Sequence, residues 1–161
     1  MQSLVSILFI VSVFFSQDLK ELREQYYAAS QSKAKAEEFY NSVSKYTKEN
    51  QTLLAYKGAA IALKAKFATD AKKKKALFIE GVNFIETAIK SDPNNLEIRV
   101  IRISIQENTP KVLKYKSNIA EDKNLIFKNF SKQNQSLKEF ISTYVRQSHA
   151  FSEEEKQTIL K

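Results

Sequence analysis

Residues 81–93 read Gly81-Val82-Asn83-Phe84-Ile85-Glu86-Thr87-Ala88-Ile89-Lys90-Ser91-Asp92-Pro93, and this stretch decides the fold. Gly81, Ile85 and Ala88 recur at three- and four-residue steps, which puts them on one face of a helix. Small residues on that face let a second helix come close, and a large one between them fills the gap. Asp92-Pro93 ends the helix, because the residue before proline is pushed out of the helical region. Reading back, Asp70 is an N-cap for a helix from Ala71 to about Ser91, with Phe78, Val82 (or Gly81), Ile85 and Ile89 inward. Asn50 likewise precedes a helix with Leu53, Leu54, Gly58, Ile61 and Ala65. Nearer the start, Leu19, Leu22, Tyr26 and Ala29 form one apolar stripe, and Ala36, Tyr40 and Val43 another. Ser30-Gln31-Ser32 makes the turn between them, since serine competes for backbone hydrogen bonds.

Reading forward, Leu96 to Gln106 (LEIRVIRISIQ) has the composition of a strand. Its apolar positions also suit a helix buried on two sides, and its neighbours are helical, so a helix is expected. Thr109-Pro110 reads as N-cap and first residue of a short helix around Val112 to Tyr115. Longer helices are expected near Ile119 to Phe130 and Gln135 to Gln147. A last one starts at Ser152, where Ser152 and Glu155 form a capping box and three glutamates complement the helix N-terminus. Only two glycines and two prolines interrupt the 161 residues, and 43% of them are hydrophobic, enough for one real core. The expectation is an all-α chain of about seven or eight helices, forming one short solenoid or bundle.

The hairpin spacing resembles the tetratricopeptide repeat, a helical pair with a period of about 34 residues. A repeat begun at Gln51 places Leu54, Gly58 and Ile61 on the first helix, then Gly81, Ile85, Ala88 and Pro93 on the second. Stepping one period back to Gln17 places Tyr27, Ala36, Tyr40 and Val43. The pattern is degenerate. Leu54 stands where the family has its tryptophan, Lys20 and Glu24 occupy an apolar and a small site, and the stretch from Ile61 to Gly81 is about eleven residues too long. Both helices of that repeat must therefore be longer than usual. The likeness covers residues 17–50 and 51–95, with further helices over 96–161. More broadly the chain resembles short exported helical proteins of bacteria whose role is unassigned. The resemblance implies a concave strip on the first helix of the second repeat, here Thr52, Ala55, Ala59, Ala62 and Leu63. The Lys and Asn side chains that clamp a peptide carboxylate in chaperone-binding members are missing. A strip so small and apolar is expected to pack under a helix of the same chain, with one from 119–147 as the candidate, and otherwise to receive an amphipathic helix or extended peptide.

The formal net charge is +8, from 22 Lys and 4 Arg against 18 acidic residues. Sites that grip phosphate by geometry favour the arginine fork, whereas lysine is a solvated point charge. Nucleic acid is therefore an unfavoured partner, and Lys72 to Lys75 read as a solvated helix start. The alternative is a Lys-rich binder of an anionic polymer or membrane surface. With no cysteine there is no disulfide or thiolate site. The single histidine, His149, makes no two-histidine metal motif, and two glycines supply no phosphate loop. No cofactor, metal or catalytic residue is expected. Arg99 and Arg102 stand out in an apolar helix. They either meet Asp122 or Glu86 in a partly buried ion pair or point into a ligand groove. An open pocket shared by those four residues would revive an enzyme reading.

Leu4 to Phe15 is an apolar run too short to span a bilayer, which takes about 20 residues. It has the length of a secretory signal core, with polar sequence resuming at Gln17-Asp18. No Lys or Arg precedes it, and Phe14 stands two positions before the expected cut after Ser16. Residues 1–16 are therefore expected to be a cleaved signal and 17–161 one helical domain, periplasmic or secreted; an uncleaved anchor, the only membrane contact expected, or a buried first helix is the other option. The expected role is a non-enzymatic scaffold that binds an unidentified protein or peptide.

Overall fold

The computed structural model describes residues 19–46 and 49–161. All regular structure in them is helical. The first helix, α1, covers 19–29, and α2 is Lys33–Val43, α3 Gln51–Phe67, α4 Ala71–Ser91 and α5 Leu96–Asn108. After a 3-10 turn at Lys111–Leu113 come α6 (Ile119–Asn129), α7 (Gln135–Gln147) and α8 (Glu153–Leu160). Side chains cap the starts where the sequence put them. Ser32, Asn50, Asp70, Asn134 and Ser152 each accept from a backbone N–H in the first turn, and Ser152 with Glu155 completes the capping box. Asn95 caps α5 in the same way.

The pair α3 and α4 is the backbone of the molecule. At 17 and 21 residues they exceed the 11 of α2, as the long Ile61–Gly81 interval requires. They cross where Gly58 meets Gly81. A Cβ on Gly58 would lie 2.5 Å from the Gly81 carbonyl oxygen, and one on Gly81 would lie 2.5 Å from that of Gly58. Backbone touches backbone here, so only glycine fits at either position. Ile85, Ala88 and Ile89 continue the buried face of α4, while Phe78 and Val82 are half-buried at its edge.

Helix α5 is the hub. Ten of its 13 residues are buried, because helices pack on nearly every side of it: α3, α4, α6 and α7 among them. This is why its sequence is apolar without a clean stripe. Three details differ from expectation. The core aromatic of α2 is Phe39, fully buried beside Tyr26 and Tyr56, while Tyr40 is half-buried and lies under the Lys64 ammonium. A one-residue shift of this kind swings a side chain by about 100° around the helix. Thr109 does not start a helix; its hydroxyl donates back to the Ile105 carbonyl and its backbone closes α5. The helix expected over Val112 to Tyr115 is only the 3-10 turn Lys111–Leu113, stopped by Lys114 in the left-handed region at φ 50°. The apolar run Leu4 to Phe15 and its expected cut lie outside the described residues.

Candidate functional site

Each residue singled out in the sequence can now be placed. Ala55 and Ala59 are fully buried and Ala62 nearly so, with Thr52 and Leu63 half-buried. Ala62 sits against Gly81 of α4. Thr52 accepts a hydrogen bond from the amide of Asn95, the cap of α5, at 3.1 Å. The strip is therefore filled from within, as its small side chains suggested, and is not an open groove. The principal neighbours of α3 are α2, α4 and α5, and not the helices of 119–147.

Arg99 and Arg102 are 6% and 3% exposed and do not face a groove. Asp122, on the first turn of α6, is the centre they share. Arg102 grips it with two parallel hydrogen bonds, Nε to Oδ2 at 2.7 Å and Nη2 to Oδ1 at 2.6 Å, and Arg99 Nη1 adds a third at 2.7 Å. Bidentate geometry of this kind is the strong form of the ion pair. Arg102 also reaches Glu86 of α4 at 3.0 Å, and Arg99 reaches Glu121 at 2.6 Å. Tyr115 donates to the other Glu86 oxygen. The hydrogen bond from Arg99, reinforced by Asn118, holds the Glu121 carboxyl below its ordinary range. Glu86, Arg99, Arg102 and Asp122 thus converge, but as ion pairs, buried at Asp122 and partly exposed at Glu86, that lock α4, α5 and α6 together and not around an open pocket.

Two further networks surround α5 that the sequence did not reveal. Arg23 of α1 forms two hydrogen bonds to Glu97, at 2.8 and 2.7 Å, and Tyr56 of α3 donates to the same carboxylate at 2.6 Å. Burial pulls Arg23 down, but the hydrogen bond and charge of Glu97 outweigh it and raise it on balance. Burial first, then the Glu97 charge, pushes the Tyr56 hydroxyl well up. At the other end Glu107 accepts from the Tyr144 and Ser148 hydroxyls and from the backbone N–H of His149 and Ala150. His149 itself is exposed. Arg23 was legible only as one charge on an amphipathic helix; nothing local marks its partner 74 residues away.

Two clefts open to solvent lie along the first hairpin. A cleft of about 350 Å³ is lined by Leu19, Leu22, Gln25, Ser42, Tyr46 and Leu53, with Glu21 at its edge. The Ser42 hydroxyl donates to Gln25 across the α1/α2 seam at 2.7 Å. Beyond it a smaller cleft runs along the same seam past Glu24, Ala28, Lys35 and Glu38. Among the described residues there is no cluster of His, Cys, Asp or Glu suited to a metal ion. No helix among them is long and apolar enough to cross a membrane.

No family model, no curated protein and no solved structure matches this chain.

Proposed function

We propose that the protein is a non-enzymatic helical scaffold that binds another protein, built from hairpins of tetratricopeptide type and exported to the periplasm or beyond. The observation that carries this reading is the seam cleft. It has an apolar floor of leucines, a tyrosine 37% exposed at its rim and a polar edge, the composition of a surface that receives a partner side chain. The buried ionic groups support it from the other direction, since they tie α1 and α6 to α5 and keep the helices in fixed register. Export rests on the sequence of residues 1–16.

Site-specific photo-crosslinking in native cells tests the binding. A photoreactive residue at Tyr46 or Ser42 is expected to trap a discrete partner, while the same residue at exposed Lys128 traps none. Identical or absent adducts at both places would sink the scaffold reading. Intact mass of the fractionated protein tests export, a form lacking the first 16 residues being the expected result and a full-length cytosolic form the contrary one.

A further inference from the structure

The lysines that look scattered in the sequence collect at one end of the fold. Lys66 Nζ donates to the Ser30 carbonyl at 2.9 Å, so the end of α3 lies against the turn between α1 and α2. Helix α2 starts there with Lys33 and Lys35. Helix α4 starts there too, four residues after α3 ends, with Lys72, Lys73, Lys74 and Lys75 in its opening turns. All seven lysines are exposed, and no ion pair within the described residues reaches any of them. Lys35 shares its cleft with Glu24 and Glu38 and counts least. Neighbouring Lys64 is the contrast, being paired with Glu37 at 3.0 Å.

Local electrostatics opposes this arrangement. Helix N-termini favour carboxylates, and α5, α6 and α8 carry them in their first turns. Helices α2 and α4 carry none, and both point their positive ends into the lysine pole. Six of the seven lysines stand in the opening turns of α2 and α4, with Asp70 as the one acidic cap there. Only Lys66, at the end of α3, is placed where its own helix favours it. Repulsive charge of this kind is not needed by the fold and is the mark of a surface shaped by something outside it. One turn beyond Lys75, on the same face of α4, stands Ile79, 45% exposed.

We propose that this pole docks an acidic segment of a partner protein, with glutamates or aspartates over the lysines and an apolar residue against Ile79. The chemistry points to a peptide over the other polyanions. Lysines in place of arginines offer no bidentate grip on phosphate, and no exposed aromatic at the pole offers a base-stacking platform. The proposal rests on the protein-binding reading but on a different surface, since Tyr46 and the seam cleft lie toward the opposite end of the hairpin.

The test is a titration of the full chain against a fluorescein-labelled peptide of about ten glutamates followed by a leucine. Binding is expected, weakening as salt rises from about 50 to about 200 mM. Converting Lys72, Lys73, Lys74 and Lys75 together to glutamate should weaken it at least about tenfold. The same charge change scattered over exposed Lys45, Lys111, Lys128 and Lys161 should weaken it far less. Ile79→Ser should weaken it by a factor that salt does not alter. Equal loss in the two charge variants would show a mere net-charge effect and overturn the proposal. So would tighter binding of phosphatidylserine vesicles or a thymidine oligonucleotide than of the peptide. Crosslinks at Tyr46 stand or fall independently, so failure here is distinguishable from failure of the scaffold reading.

Discussion

At the scale of single residues, two positions hold the architecture by opposite means. Gly58 and Gly81 do it by absence. Alanine is a better helix former than glycine by about 1 kcal/mol, so Gly→Ala inside a helix ordinarily stabilises. Here the added Cβ of Gly81→Ala would meet the Gly58 carbonyl at 2.5 Å and the Ala62 backbone nitrogen at 2.7 Å. Backbone cannot rotate aside, so α3 and α4 must part. The expected outcome of thermal or urea denaturation is a loss of about 1–3 kcal/mol, the reverse of the propensity effect. A stabilised Gly81→Ala variant would show that the crossing is looser than described. Asp122 acts by presence. Asp122→Asn keeps the volume but leaves Arg99 and Arg102 buried with one neutral acceptor in place of a carboxylate. Removing one side of a buried pair costs about 3–5 kcal/mol. The exposed carboxylates Glu86 and Glu121 remain within reach and should place the loss at the lower end. Denaturant unfolding of the variant measures it; a change near zero would mean those two carboxylates suffice alone.

At the scale of elements, the lysine start of α4 joins stability to binding. Glutamate near a helix N-terminus gains about 0.3–1 kcal/mol per charge, and lysine loses a similar amount. The variant with Lys72 and Lys73 changed to glutamate should therefore melt higher than the natural chain while binding acidic peptide less well. Calorimetry reads the first effect, and a lower melting point would mean those lysines make contacts that stabilise the fold. The same helix shows why some elements were legible in the sequence. Both of its ends carry chemical punctuation, Asp70 before and Asp92-Pro93 after, and its bounds follow residue by residue. Asn50 and Ser152 mark their helices equally well, whereas the Asn134 cap of α7 was not singled out in the sequence. Where the signal was ambiguous, neighbours decided. Thr109-Pro110 suits a helix start as well as a helix end, and the backbone of α5 claimed the threonine first. Phe39 and Tyr40 are adjacent aromatics, and the positions of α1 and α3 determine which one is buried. The candidate site was less legible. The strip on α3 read correctly as small and apolar, but which helix covers it depends on pairings across the chain. The lysine pole is invisible in sequence because its members come from three helices brought together by two turns.

At the scale of the molecule, five tyrosine hydroxyls tie the helices around α5. Tyr26 pairs with Ser104, Tyr56 donates to Glu97 and Tyr144 to Glu107, each linking another helix to α5. Tyr27 of α1 donates to the Phe140 carbonyl of α7, and Tyr115 to Glu86 of α4. Burial is the largest influence on all five and raises each above the ordinary value of 10, with Glu97, Glu86 and Glu107 adding to the shift at Tyr56, Tyr115 and Tyr144. The folded state thus favours the protonated phenol. Its contribution to stability is complete below pH 10 and is lost as pH rises beyond it, because the unfolded chain ionises these groups first. Several hydroxyls shifted together make the loss steep. Above pH 10, tyrosinate absorbance at these buried positions should rise in step with the loss of helical circular dichroism, as one cooperative transition. If the buried tyrosines ionised near pH 10 with helix content intact, the hydroxyl links would not be holding the bundle. Replacing Tyr56 with phenylalanine separates the two roles of that residue. It removes one ionisable phenol from the alkaline transition and also one donor from Glu97, so the variant should unfold at lower denaturant near neutrality while its transition above pH 10 becomes shallower.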